Sequence, residues 1–277
     1  MDLSTLLGQY ALARDVSPET LSQYGFAVRS LERFLSRPPT LADLTDDGLN
    51  RWIDWLLSRE LSRATIKGQR GSLLAIWRFA VEVSLLDRLP LRVKKLRRCL
   101  PLPEAYSLRQ TVDLLGECQW IQGRFRCGVP RAALLRAWVL VAYYTALRPG
   151  DLGRLRWSEI SADGVFVVIQ RKTGEPLLRR LPADAMAAVL ATDPGSRELV
   201  FPIGQRVIRY WWGQIRKAAG VKGSPKWMRR SSATAVEAIQ PGAAMRHLGH
   251  RTPGLAARHY IDPRLLGGTG PLPPRIA

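Results

Sequence analysis

The chain has 277 residues, and its 42 Lys and Arg against 23 Asp and Glu leave a formal charge of +19, which argues against an enzyme for neutral ligands with a random surface and makes a polyanion the default partner. Three widely spaced cysteines, Cys99, Cys118 and Cys127, with no Cys-x-x-Cys pair and no Cys/His cluster, speak against a disulfide framework or a structural zinc and for reduced thiols in a cytoplasmic protein. The longest uncharged apolar run, Ala137 to Leu147, falls well short of the roughly 18 residues needed to span a bilayer, and the N-terminus lacks the basic-then-apolar pattern of a signal peptide.

The first third of the chain reads as helical. A short helix is expected over Leu3 to Ala13. Ser17-Pro18-Glu19 then supplies a capping hydroxyl, a proline at the first helical position and an acid, with Leu21, Tyr24, Val28, Leu31 and Leu35 following at helical spacing. Arg37-Pro38-Pro39 ends that helix. Thr45-Asp46-Asp47 opens another, with Leu49, Trp52, Ile53 and Leu56 on one face, and Ser62 opens a further one through Ile66, Leu73, Trp77 and Ala80. Residues 1–86 are therefore expected to form a small all-helical domain. Residues 87–103 combine three prolines with six basic residues and read as a linker, either solvated or laid on a nucleic-acid backbone through Lys94, Lys95, Arg97 and Arg98.

A second domain is expected over 104–277. Ser107 caps a helix starting near Leu108, and Ala132 to Thr145 is apolar enough to be a buried helix. Arg148-Pro149-Gly150 breaks it, and Pro149 is expected to open a helix through Trp157. Val165 to Gln170 reads as a strand, Arg171 to Pro176 as a turn and Leu177 to Leu181 as a returning strand. Helices are expected near 183–192, 203–219, 226–238, 242–248 and 254–260, followed from Pro263 by a Gly- and Pro-rich tail that is extended or mobile. Tyr210-Trp211-Trp212 could stack on bases, but Val207, Ile208 and Ile215 around them favour core packing. The fold class is mainly α with one small β-hairpin.

Two local patterns bear on function. The first runs from Thr145 to Ile160 and opens Thr145-Ala146-Leu147-Arg148-Pro149-Gly150-Asp151-Leu152. The second is Lys226-Trp227-Met228-Arg229-Arg230-Ser231-Ser232-Ala233-Thr234, followed by Leu248-Gly249-His250 and then Tyr260. Together they closely resemble the two characteristic boxes of the tyrosine recombinases, the phage-integrase family. Arg171-Lys172-Thr173-Gly174 lies between them, where that family carries its catalytic lysine. The resemblance is specific over about residues 105–262; the N-terminal helices are similar to the family's core-binding domain only in pattern and position. One position departs: the family usually has histidine three residues before the second arginine, and here it is Lys226.

The resemblance implies a DNA strand-exchange enzyme with Arg148, Lys172, Lys226, Arg229, His250 and Tyr260 as catalytic residues. Physical chemistry supports the assignments. Guanidinium forks such as Arg148 and Arg229 stabilise the equatorial oxygens of a phosphoryl group in transfer better than lysine can. Nearby cations lower the cost of forming the phenolate, so Tyr260 can become the nucleophile of a covalent phosphotyrosyl link. Lys172 is the candidate general acid for the departing 5′-oxygen, and His250 would hydrogen-bond a nonbridging oxygen. Asp151 is expected to hold a nearby cation or backbone group rather than to react. Arg171, Thr173 and Arg230 join the linker residues as candidate DNA contacts.

No cofactor and no metal is expected, because no clustered carboxylates suggest a Mg²⁺ site and no phosphate-cradling glycine loop is present. The implied partners are double-stranded DNA, further copies of the chain (a dimer per site and a tetramer in the synapse) and, as candidates, accessory DNA-bending proteins, with no membrane. A cytoplasmic, nucleoid-associated location follows from DNA binding. A type IB topoisomerase-like activity and a non-catalytic DNA-binding or architectural protein on the same fold are the alternatives; RNA binding rests on charge alone.

Overall fold

The computed structural model describes residues 1–97, 101–192, 195–252 and 254–266. The chain divides into two compact units, Met1–Pro101 and Leu102–Ala277.

The first unit is built on four helices, each opened by the side chain that the sequence supplies for it. Asp2 accepts from Ser4 N and Thr5 N at the start of α1 (Leu3–Ala13), and Ser17 accepts from Thr20 N at the start of α2 (Pro18–Leu35). Thr45 caps α3 (Asp46–Ser58) and Ser62 caps α4 (Arg63–Glu82) in the same way. These hydroxyls and carboxylates satisfy amide donors that a helix start leaves without intrahelical partners. Leu3, Leu6, Leu31, Leu49, Trp52, Ile53, Leu56, Ile66, Leu73 and Ile76 close the core.

The expected linker differs from a solvated segment over its first part. Residues 87–97, with Pro90 among them, do stay out of a helix, but this stretch is fastened onto the first unit. Val93 is buried, Asn50 Nδ2 donates to Arg92 O, Lys94 N donates to Asn50 Oδ1 and Trp77 Nε1 donates to Arg88 O. Lys94 is ion-paired with Asp54. Lys95 and Arg97 are exposed, whereas Arg98 and Cys99 lie outside the described residues. The physical reason is that Val93 and Leu96 carry enough apolar surface to dock, which a composition reading dominated by charge overlooks.

The second unit packs helices around α6 (Arg131–Thr145), an apolar helix whose buried residues include Leu134, Trp138, Val141 and Ala142. Against it lie α5 (Leu108–Glu117), opened by a Ser107/Gln110 capping box, α8 (Ala183–Leu190) and α10 (Lys226–Ile239). Between α6 and α8 come α7 (Pro149–Leu152) and an antiparallel hairpin, β1 (Val165–Ile169) with β2 (Pro176–Arg180), in which Val167 pairs with Leu178. The remaining helices are α9 (Gln205–Ala218), α11 (Ala243–Leu248) and α12 (Leu255–His259).

Two local expectations are corrected. The helix opened by Pro149 stops at Leu152 instead of running through Trp157, because Arg156 pairs with Leu199, flanked by Val200 N donating to Leu155 O and Trp157 N donating to Glu198 O; a separate 3-10 turn, Trp157–Glu159, follows. The tail expected from Pro263 begins with a 3-10 turn, Pro263–Leu266, held by the Arg264–Asp262 ion pair at 2.7 Å; residues 267–277 lie outside the described residues. Trp212 is core, with Nε1 donating to the Tyr106 hydroxyl at 3.2 Å, and Trp211 packs beneath Arg131. Among the described residues no helix is long and apolar enough to cross a membrane.

Candidate active site

Four of the six residues singled out by sequence come together in the second unit. Arg229, on the first turns of α10, is 3 % exposed. Its Nη1 donates to Ala146 O, its Nη2 donates to Leu248 O at 2.8 Å, and the same nitrogen lies 3.5 Å from His250 Nε2. The guanidinium carbon stands 5.2 Å from the centre of the Tyr260 ring, and the His250 and Tyr260 rings are 4.8 Å apart. Arg229 is thus the hub of the group.

Local backbone explains how the others arrive. Helix α6 ends where Ala146 turns left-handed at φ 51°, and two residues later Arg148 is extended as the residue preceding α7. Arg148 Nη1 donates to Gln170 Oε1 and lies 3.9 Å from the Asp151 carboxylate. Asp151 is buried and its Oδ1 also accepts from Arg171 N at 3.1 Å and from Arg154 Nη2 at 3.2 Å. It therefore ties the Arg148 turn to the hairpin. Helix α11 ends at Gly249, φ 65°, which delivers His250. The left-handed backbone angle favours glycine there, and a Cβ would press on the side-chain ends of Leu177 and Gln170. Tyr260 ends α12, and its carbonyl accepts from Thr234 Oγ1 at 3.4 Å.

The two remaining residues lie at the surface. Lys172 is exposed at the tip of the β1–β2 turn, and Lys226 is exposed at the start of α10, where it lines a cavity of about 390 Å³ with Pro149 and Gly150. Among the described residues no hydrogen bond or ion pair joins either lysine to the Arg229 group. Of the candidate DNA contacts beside the site, Arg171 and Thr173 are exposed on the hairpin turn and Arg230 Nη1 donates to Glu104 O.

The electrostatics of the group favour an anion. Burial first, and then repulsion from Arg148, push the Arg229 guanidinium down to about 10, with Tyr260 opposing the shift; it stays protonated at neutral pH. Burial, then Arg229 and Arg148, push His250 down to about 4, so the ring is neutral. Arg229 Nη2–H facing His250 Nε2 requires that nitrogen to accept, which leaves the proton on Nδ1. Arg229 Nε, His250 Nδ1 and Gln170 Nε2 are buried without hydrogen-bond partners among the described residues. Such a set of donors can hold the oxygens of a tetrahedral anion against a tyrosine. Among the described residues no cluster of three or more His, Cys, Asp or Glu could hold a metal ion.

Sequence reasoning missed Gln170, His247 and Arg179. Gln170 ends an apolar run and is fully buried, a position where a polar side chain is itself a signal. His247 Nε2 bonds Ser232 Oγ at 2.7 Å, and burial, then Arg179 and Arg229, lower its pKa to about 4. Both His247 and His250 lie below the ordinary histidine value of 6.5 when folded, so unfolding takes up protons as pH falls. The stability they contribute is fully present above pH 6.5 and is lost as pH drops toward 4. The melting temperature is expected to fall across that window, beginning above the range in which carboxylates titrate. His247→Gln is expected to flatten the slope, as read by calorimetry from pH 4 to 8; an unchanged slope in the variant contradicts the assignment.

Comparisons with known proteins agree with this architecture. Residues 5–83 match the phage integrase N-terminal SAM-like domain. The integrase of Escherichia phage HK022 is 25% identical over 271 residues, covering 91% of this chain and 72% of that protein. The tyrosine recombinase XerC of Pediococcus pentosaceus is 23% identical over 277 residues, covering 90% of each. Among solved structures, a lambda integrase dimer bound to a COC′ core site aligns over 100% of this chain and 99% of its own with a TM-score of 0.72 at 20% identity. The XerH site-specific recombinase bound to palindromic difH substrate, in its post-cleavage complex, aligns over 90% of this chain and 78% of its own with a TM-score of 0.69 at 16% identity. Helical fold, motif order and similarity over most of the chain converge on the tyrosine recombinases, or phage integrases, as the proteins this chain resembles.

Proposed function

We propose that this chain is a site-specific DNA recombinase that cleaves and rejoins duplex DNA through a 3′-phosphotyrosyl link at Tyr260. The observation that carries the reading is the Arg229 guanidinium, which lies within reach of His250 and of the Tyr260 ring while its Nε remains unpartnered among the described residues. Relatives named integrase and tyrosine recombinase, and neighbours solved on DNA, support the same reading.

In this mechanism the scissile phosphate docks against Arg148 and Arg229, whose fixed forks meet the charge that grows on its nonbridging oxygens. His250 donates from Nδ1 to one of those oxygens. The Tyr260 hydroxyl gives up its proton to solvent as its oxygen attacks phosphorus, the bond to the 5′-oxygen breaks, and Lys172 on the hairpin tip gives that oxygen its proton. The energy of the broken bond stays in the phosphotyrosyl link, so a 5′-hydroxyl of the partner strand can reverse the step without ATP. Lys226, exposed one turn before Arg229, supplies a further cation at the rim rather than a neutral acid or base. The working assembly is two DNA sites bridged by four copies of the chain, with accessory DNA-bending proteins as candidate partners.

The test is covalent capture on nicked suicide duplexes, without added metal, using DNA from the neighbourhood of the gene. A denaturation-resistant adduct mapped by mass spectrometry to Tyr260 is the expected result. Footprinted, sequence-specific binding with no adduct would instead mark a DNA-binding protein without turnover.

A further inference from the structure

Arg229 does not hold its two carbonyls alone. On β2, Arg179 donates from Nε to Thr145 O at 2.9 Å and from Nη2 to His247 O at 2.6 Å. Arg229 takes the carbonyls of the very next residues, Ala146 and Leu248. Two arginines from different elements therefore bridge the same pair of chain turns, one carbonyl apart on each side. Those turns are the C-terminal ends of α6 and α11, where the last carbonyls have no intrahelical donors and carry the negative end of the helix dipole. They are also the turns that lead directly into Arg148 and His250.

Arg179 has no stabilising carboxylate among the described residues; its third hydrogen bond is from Nη1 to Leu178 O at 2.7 Å. Burial disfavours its charge. A half-buried cation without an acid partner is a poor device for stability alone. What it does geometrically is fix the distance between the α6 and α11 ends, so that Arg229 spans them with one edge and keeps Nε for another ligand. Lysine could not do this, because one ammonium nitrogen lacks the planar fork that reaches two carbonyls in fixed directions.

We propose that Arg179 is a positioning residue for strand cleavage: it locks the two helix ends that carry Arg148 and His250 and thereby sets the orientation of Arg229 toward Tyr260 and the phosphate. This rests on the recombinase reading above.

The experiment compares parent, Arg179→Met, Arg179→Lys and Arg179→Ala on a nicked duplex, measuring DNA affinity and the single-turnover rate of adduct formation separately. Arg179→Met is expected to bind DNA close to parental affinity and to form adduct about 100-fold more slowly, the size of effect seen when one fixed transition-state donor is misplaced. Methylguanidinium is expected to restore part of the rate in Arg179→Ala, while methylammonium at equal ionic strength does not, a difference that a purely structural role would not produce. Cleavage by Arg179→Met at the parental rate, a parallel loss of binding and cleavage, or equal rescue by both cations overturns the inference. If Arg179→Met does not fold, Arg179→Lys carries the test, and parental cleavage by that variant likewise overturns it. A parent that binds its site and forms no adduct overturns the recombinase reading itself and this inference with it, an outcome plainly distinct from a defect confined to the variants.

Discussion

Tyr260→Phe is expected to bind DNA as the parent does and to form no covalent adduct at all. The substitution removes one oxygen and leaves the ring, so the 4.8 Å contact with His250 and the 5.2 Å contact with the Arg229 guanidinium persist. The backbone at this position is fixed by other groups: Tyr260 N donates to Ala256 O at 2.9 Å, and Asp262 N donates to Thr234 Oγ1 at 3.0 Å just beyond it. Losing the hydroxyl should therefore change stability by about 1 kcal/mol or less. Chemistry is affected differently. Without the oxygen there is no nucleophile, and no neighbouring side chain in the group has a hydroxyl to replace it. The measurements are a denaturing gel for the adduct and a footprint or shift assay for binding. An adduct in Tyr260→Phe would move the nucleophile elsewhere, and a collapse of binding would make Tyr260 a packing residue.

Much of the fold is legible in the sequence because local chemistry and tertiary demand coincide there. Ser17, Thr45, Ser62 and Ser107 each mark a helix start and each accepts the amide expected of a cap. The apolar run of α6 is buried as its pattern requires, whereas that of β1 buries Phe166 and Val168 and leaves Val167 and Ile169 exposed. The misreadings occur where a long-range partner decides. Arg154 to Arg156 look helical until Arg156 pairs with Leu199, and residues 87–97 look like a linker until Asn50 and Trp77 bind their backbone. For the candidate site, the sequence singles out six residues by type and order, of which the fold gathers Arg148, Arg229, His250 and Tyr260 and leaves Lys172 and Lys226 at the surface. Arg179 and Gln170 are not singled out, since nothing in a hairpin sequence tells that a guanidinium will reach the ends of two helices 34 and 68 residues away. Asp151 illustrates the middle case: its role as a holder of cations and backbone could be stated in advance, but not that it would take the amide of Arg171.

Arg229→Lys is expected to separate activity from stability, because the two consequences of the change have different signs. Removing the fork leaves Ala146 O and Leu248 O, both paired to it now, with one donor group between them. Each buried carbonyl left unpaired costs about 1–3 kcal/mol. The charge, however, is itself held at a cost: burial and Arg148 lower the pKa of Arg229 to about 10. A lysine can relieve part of that cost by tilting its ammonium toward water, as a rigid fork cannot. The net loss of stability should therefore be modest, a melting shift of a few degrees at most for a unit of this size. Cleavage has no such offset. The lysine cannot span two carbonyls and a phosphate oxygen together, and it loses the contact that places the cation beside His250 Nε2. A fall of about 10²–10³ in the single-turnover cleavage rate is expected, the range for removal of one fixed donor to a developing oxyanion, with larger losses if Arg148 is also displaced. Phosphate affinity should fall far less, since other cations of the basic surface carry most of the nonspecific attraction. Cleavage within tenfold of the parent would mean that the guanidinium geometry is dispensable and that charge alone stabilises the transferring phosphoryl group. A drop in stability as large as the drop in rate would make Arg229 chiefly a staple between α6 and α11, and the site's specificity for the transition state would then rest on Arg148 and His250.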